Sequence, residues 1–135
     1  MILAIDSLQP EEYFLSQRKL ARIRWNHYHG FLIPPPRVIE IPSRSRRTII
    51  DGNHRTYVRY EQGHSEIEVD YQGKRSFDLA DEVVRRGITR ISDLAHHILT
   101  HVDWLESCSC SANSKDALPD KEFFKLYPGV EDFLY

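Results

Sequence analysis

The sixteen residues TIIDGNHRTYVRYEQG, positions 48–63, decide what fold is expected for the front of the chain. The opening letters TII are typical of the end of a buried strand, and Gly63 is typical of a helix end. Between them, Gly52 predicts a tight turn into a helix that begins near Asn53. Because the first amides of a helix point away from its body, a strand, a glycine turn and a helix start are suited to holding an anion.

Strand and helix patterns alternate on both sides of this stretch. Residues 1–5 and 37–41 predict short strands, and Ser16 predicts the N-cap of a helix between them. The run SEIEVDY, residues 65–71, alternates apolar and polar positions and predicts one half-buried strand. Short strands mixed with helices predict an α+β core over residues 1–72, a small mixed sheet with helices.

The rest of the chain, residues 73–135, has mostly helical patterns. One helix is expected over residues 78–86, and a longer one is expected from Ser92. The apolar stripe of the longer helix, at helical spacing, consists of Ile91, Leu94, Ala95, Ile98, Leu99, Val102 and Leu105. We therefore expect a helical C-terminal extension, residues 73–135, packed on the core.

Composition places the chain among ordinary globular proteins. It has 135 residues, of which 41% are hydrophobic and 28% are charged. No apolar run approaches the roughly 20 residues that span a bilayer, and the first residues lack the basic start of a signal peptide. Cys108 and Cys110 are separated by one residue and give no disulfide framework. A cytoplasmic protein without a membrane partner is expected.

Charge is unevenly distributed along the sequence. Residues 1–60 contain ten Lys and Arg against five Asp and Glu, whereas residues 61–135 contain eight against fifteen. The basic excess thus accompanies the stretch that predicts an anion site. Such a bias suits a phosphate ligand, and solvated surface charge alone also produces it.

Four polar residues around Gly52 have the chemistry of a phosphate site. Arg55 carries a planar cationic fork that matches phosphate oxygens, and His54 can donate a hydrogen bond or a proton. The backbone amides from Asn53 onward point at a ligand above the helix start. Asp51, at the strand end, is a candidate Mg²⁺ ligand. The alternative is structural, a capped helix in which Asp51 and Arg55 form an ion pair across the turn.

The run IIDGNHRTYVRYEQGHSEIEV resembles the motif region of the ParB/sulfiredoxin superfamily, in which a strand leads into D-G-x-H-R, a helix and a further strand. The earlier run IDSLQPEE is similar to the opening of those domains, a strand followed by an L-x-P loop. The resemblance covers roughly residues 1–72. It implies a nucleotide-binding fold in which Gly52, Asn53, His54 and Arg55 cradle phosphates.

Branches of this superfamily differ at the motif. Asn53 replaces the reacting cysteine of sulfiredoxins, and the pair Asn53-His54 replaces the Glu-Arg of the chromosome-partition proteins. The D-G-H-H-R motif of the free-serine kinases is matched by Asp51, Gly52, His54 and Arg55, while Asn53 departs from it. In that branch a catalytic glutamate lies in the loop after the first strand, which corresponds to Glu12, with Glu11 as the alternative.

The resemblance implies a nucleotide- and Mg²⁺-dependent phosphotransferase that acts on a small hydroxylated acceptor, with Glu12 and His54 as catalytic residues. ATP or ADP is the expected nucleotide, with CTP as an alternative. The competing hypotheses are a nucleotide-sensing or DNA-associated module without catalysis, and a nuclease, both favoured by the basic turn at residues 44–47. A small acceptor is favoured over nucleic acid.

A zinc site is a further hypothesis for the extension. It would use His97 and His101, four residues apart, together with Cys108 and Cys110. The spacing matches no established zinc motif, so a solvated helix flank followed by a polar loop is favoured.

Overall fold

The computed structural model describes residues 1–107 and 113–135. The strands are β1 Ile2–Ala4, β2 Leu8–Gln9, β3 Leu15–Ser16, β4 Arg37–Glu40, β5 Arg47–Asp51, β6 Glu66–Glu68, β7 Asp70–Lys74 and β8 Ile98–Leu99. The α-helices are α1 Gln17–Tyr28, α2 Asn53–Glu61, α3 Asp81–Arg85, α4 His101–Ser107 and α5 Asp120–Leu126. Short 3₁₀ helices cover Ile5–Ser7, Ile91–His96 and Val130–Phe133.

The chain forms two compact units, and the first consists of Met1–Tyr13 and Pro34–His97. Its larger sheet has the strand order β2-β5-β4-β7, in which β5 is parallel to β2 and antiparallel to β4, and β4 is parallel to β7. A separate antiparallel pair joins β1 to β6. The buried apolar residues of this unit include Leu8, Val38, Ile49, Val58, Ile91 and Leu94. Because β2 runs parallel to β5, the loop that follows β2 lies next to the C-terminal end of β5.

The second unit consists of Phe14–Ile33 and Ile98–Tyr135, within the described residues. Ser16 caps α1 as expected, because its hydroxyl oxygen accepts the Lys19 amide hydrogen at 3.2 Å. The strands β3 and β8 form a short parallel pair. Ala21 packs in a cluster with Phe123 and Val130, which brings α1 together with α5 and the last 3₁₀ helix. Arg18 reinforces this packing by donating to the Leu118 carbonyl at 2.6 Å.

The α+β class is confirmed, and so are most of the predicted elements in the first half of the chain. One strand prediction is wrong, since the run at residues 65–71 forms two strands. Glu66–Glu68 pairs with β1, whereas Asp70–Lys74 pairs with β4. At the switch the Val69 amide donates to the Met1 carbonyl. The alternation of apolar and polar residues predicts which side chains are buried, but it does not predict with which strand each residue pairs.

The prediction of one long helix from Ser92 is also wrong. Its span contains a 3₁₀ helix, the strand β8 and then α4, and Val102 from the predicted stripe is exposed. Ile98 and Leu99 pair with β3, so their apolar character comes from a strand. Short apolar runs do not distinguish a buried strand from a helix segment by period alone.

The predicted division at residue 72 does not coincide with the boundary between the compact units. The first unit extends to His97, and residues 14–33 belong to the second. Within residues 1–107 and 113–135, no helix has the length and apolar character needed to cross a membrane.

Candidate functional site

A glycine in a left-handed conformation joins β5 to α2. Gly52 has a φ of +100°, and its carbonyl oxygen accepts both the Thr56 amide at 2.9 Å and the Thr56 hydroxyl at 2.8 Å. A Cβ atom at this position would lie 2.6 Å from Nη2 of Arg55 and 3.0 Å from Cα of Pro36. The left-handed backbone therefore favours glycine here, and a Cβ would in addition require the Arg55 fork to move aside.

A carboxylate and an imidazole meet at the start of α2. Oε2 of Glu12 lies 3.4 Å from Nδ1 of His54, although the two residues are 42 positions apart in sequence. Both side chains are mostly shielded from water, with 15% and 7% of their surface exposed. The separation is that of an ion-pair contact, and a charge on either group acts strongly on the other because solvent is scarce around them. The two predicted catalytic residues are thus brought together.

Asn53 is the first residue of α2 and connects the helix to the loop that carries Glu12. Its side-chain oxygen accepts the Glu11 amide hydrogen at 3.1 Å, and its side-chain nitrogen lies 3.5 Å from the Ile49 carbonyl oxygen. The residue is 5% exposed. Its side chain is therefore engaged inside the protein, and a contribution to phosphate binding would come from its backbone amide.

Asp51 and Arg55 form the ion pair that the structural interpretation of the motif predicts. Their charged groups are 3.4 Å apart, and the two residues are four positions apart across the Gly52 turn. The Asp51 carboxylate is 58% exposed, while the Arg55 side chain is 21% exposed and folds over Gly52. The guanidinium is thereby held above the helix start, where an incoming anion would meet it.

Glu11 and Glu12, adjacent in sequence, have different environments. Oε2 of Glu11 accepts the Leu79 amide hydrogen at 3.2 Å. Burial raises the pKa of the Glu11 carboxyl above its usual range, the Leu79 hydrogen bond opposes this, and the nearby Asp78 charge adds to it. Glu12, and not Glu11, faces His54. The structure thus distinguishes the two glutamates, which the sequence leaves as alternatives.

The basic turn at residues 44–47 is occupied by contacts inside the first unit. Arg44 pairs with the fully buried carboxylate of Asp78 and, at 2.6 Å, with Asp81. Arg46 donates to backbone carbonyls in residues 6–8, and Arg47 pairs with Glu40 at 3.0 Å. These contacts account for the arginine pattern as structural and weaken its interpretation as a nucleic-acid surface.

His101, one of the two histidines in the zinc hypothesis, has another role in the second unit. Nδ1 of His101 lies 2.7 Å from the Ser16 hydroxyl, and Nε2 lies 2.7 Å from the Asp116 carbonyl oxygen. Since that carbonyl can only accept, Nε2 carries the proton and Nδ1 accepts from Ser16. Both ring nitrogens are therefore engaged.

No group of three or more metal-ligating side chains occurs in the part of the chain that the structure describes. Cys108 and Cys110 lie outside the described residues. The second unit thus explains His101 by hydrogen bonding.

Sequence reasoning missed the groups around the residue that follows Glu12. The Arg86 guanidinium lies over the Tyr13 ring, with Cζ 3.6 Å from its centroid. The His97 ring meets the same tyrosine edge-on, with 4.4 Å between centroids. These residues are distant in sequence and belong to no motif, so only the assembled fold shows that they meet.

Comparisons with known proteins bear on the fold alone. No protein-family model matches the chain, and no curated protein matches it. Among solved structures, it is similar to protein Atu1540 from Agrobacterium tumefaciens, with a TM-score of 0.54 and 15% sequence identity. The match covers 99% of this chain and 87% of that one.

Proposed function

We propose that the first unit is a nucleotide-dependent phosphotransferase that acts on a small hydroxylated acceptor. The observation that supports this proposal is the 3.4 Å approach of Glu12 to His54 at the start of α2. It places a shielded acid–base pair beside a helix start where Arg55 supplies a positive charge. The resemblance of residues 1–72 to the free-serine kinase branch agrees with this arrangement.

Phosphoryl transfer needs mainly positioning and neutralisation of charge, and this set of residues can supply both. The backbone amides at the start of α2 and the Arg55 guanidinium hold the phosphate oxygens of the nucleotide. Glu12 accepts the proton of the acceptor hydroxyl. As it does so, the hydroxyl oxygen bonds to the terminal phosphorus, and the nucleoside diphosphate or monophosphate leaves. His54 orients the Glu12 carboxylate and shares the proton with it.

Asp51 fits one way in which proteins bind Mg²⁺. The ion often uses only one or two carboxylates and takes its remaining ligands from substrate phosphates and water. The exposed Asp51 carboxylate at the end of β5 would be such a single ligand. Mg²⁺ bound there would neutralise charge on the phosphate oxygens.

Nucleotide binding is the first test. We expect ATP, ADP or CTP with Mg²⁺ to raise the melting temperature of the protein, and calorimetry to give a dissociation constant. Arg55→Ala should weaken that affinity more than tenfold, since a charge-assisted contact contributes about 1.5–3 kcal/mol. Unchanged affinity in a folded Arg55→Ala variant would contradict the phosphate cradle.

Transfer is the second test, with labelled nucleotide and a panel of small hydroxyl compounds that begins with free serine. Glu12→Gln keeps the size of the side chain and removes the base, so transfer should fall about 10²–10⁴-fold while nucleotide affinity holds. Glu11→Gln is the matched control, because a glutamine oxygen can still accept the Leu79 amide hydrogen. Binding without labelling of any acceptor would indicate a nucleotide-sensing module. A DNA-associated or nuclease role is not proposed, given the engaged arginines of the basic turn.

A further inference from the structure

The loop that carries Glu12 has no regular secondary structure of its own. It lies between β2, which ends at Gln9, and β3, which begins at Leu15. A carboxylate on such a loop keeps its orientation better when side chains also fix the residues on either side of it. Both neighbours of Glu12 are fixed in this way.

On the N-terminal side, Glu11 is held twice. Its amide donates to Asn53 at 3.1 Å, and its carboxylate accepts from Leu79 at 3.2 Å. One contact reaches α2 and the other reaches the segment before α3. These two contacts fix Glu11, but they do not fix Tyr13 on the other side of Glu12.

On the C-terminal side, Tyr13 is held by its ring. The Arg86 guanidinium lies 3.6 Å from the ring centroid, and the His97 ring approaches edge-on at an interplanar angle of 70°. A flat cation favours the negative face of an aromatic ring, and an edge-to-face ring pair is similarly directional. Because Tyr13 is only partly buried, this directional contact goes beyond general core packing.

We propose that Tyr13, held by Arg86 and His97, is a positioning residue that fixes the carboxylate of Glu12 against His54. The proposal rests on the proposed function for its catalytic consequence. The structural consequence is independent of it: loss of the Tyr13 ring should loosen the loop at Glu11 as well as at Glu12. The two consequences give separate experiments.

The catalytic experiment is a double-mutant cycle in the transfer assay. Tyr13→Ala should lower kcat about 10²-fold, the cost of a small misplacement, while KM for the nucleotide stays unchanged. Tyr13→Phe keeps the ring and should retain activity. In the Glu12→Gln background, Tyr13→Ala should have no further effect, because the group through which it acts is gone. An equal loss in both backgrounds would overturn the positioning role.

Two control variants match the chemistry of the proposed contact. Tyr71 also lies near a guanidinium, that of Arg47 at 6.0 Å, so Tyr71→Ala should leave kcat unchanged. Arg86→Met removes the flat cation from Tyr13 and should lower kcat, whereas Arg85→Met at the preceding position should not. A fall in kcat common to Arg85→Met and Arg86→Met would point to surface charge instead.

The structural experiment measures amide hydrogen exchange at Glu11, whose N–H donates to Asn53. Exchange should be at least about tenfold faster in Tyr13→Ala than in the wild type and should remain slow in Tyr13→Phe and Tyr71→Ala. Equal exchange in wild type and Tyr13→Ala would overturn the proposal even if catalysis is found. If the wild-type protein transfers no phosphoryl group, the proposed function fails, and the exchange result alone decides whether Tyr13 positions the loop.

Discussion

Replacement of Gly52 by alanine should destabilise the protein for two reasons, which control variants can separate. The first reason is the left-handed backbone, which costs a residue with a Cβ about 1–2 kcal/mol. The second is the Arg55 side chain, since the new Cβ would lie 2.6 Å from its Nη2 and 2.9 Å from its Nε. The Arg55 fork is the end of a flexible side chain and can move aside into a less favoured conformation, at a cost of about 0.5–1.5 kcal/mol. We therefore expect Gly52→Ala to lower the free energy of unfolding by about 1.5–3.5 kcal/mol.

Gly63, at the end of the same helix, is the matched control. Its φ is +90°, and a Cβ there would meet no atom within 4 Å. Gly63→Ala should therefore show the backbone cost alone, about 1–2 kcal/mol in urea denaturation at pH 7. In the Arg55→Ala background, the excess cost of Gly52→Ala should shrink, leaving the 3.0 Å approach to Pro36. Equal costs at the two glycines, or an excess that Arg55→Ala leaves untouched, would refute the close-passage argument.

Three further predictions follow from charges in the two units. Burial lowers the pKa of the His101 imidazole, with the Arg18 charge adding to this, so the folded state resists protonation. Stability to urea should fall as the pH drops below the ordinary value of 6.5 toward the lowered pKa, and His101→Gln should remove this dependence. Glu11 has the opposite sign: its raised pKa disfavours the folded state once the pH rises through that value. Glu11→Gln should therefore stabilise the protein at pH 7 and make no difference below about pH 4.5. Asp78→Asn breaks a buried ion pair with Arg44 and should cost about 3–5 kcal/mol in the same assay. The exposed partner Asp81, replaced by Asn, should cost at most about 1 kcal/mol.

The α+β class and the elements around the motif could be predicted because their signals are local. The Ser16 cap, the glycine turn at Gly52 and the helix that begins at Asn53 each depend on a few adjacent residues. The two errors arose where an apolar pattern alone had to choose a partner. The runs at residues 65–71 and 91–105 show which positions are apolar, and tertiary pairing decides how the backbone is used.

The sequence predicted some residues of the candidate site better than others. The resemblance implied that Glu12 and His54 belong to one site, but their direct contact was not predicted, since no local rule brings residues 42 positions apart together. The choice between Glu11 and Glu12 required the loop geometry. For the basic turn, the sequence suggested a nucleic-acid surface, whereas the structure shows internal contacts. A run of like charges gives no information about buried partners such as Asp78.

The difference at Asn53 from the motif that the sequence resembles bears on the proposed mechanism. The motif of the free-serine kinase branch has a histidine at this position, and the resemblance alone treats the asparagine as a change in a phosphate ligand. In the structure, the Asn53 side chain accepts from the Glu11 amide and is nearly buried, so it acts on the loop that carries Glu12. The asparagine amide places an acceptor oxygen and a donor nitrogen in one small planar group, which fits both the Glu11 amide and the Ile49 carbonyl. The structure thus links Asn53 to the loop that carries Glu12, the base of the proposed mechanism.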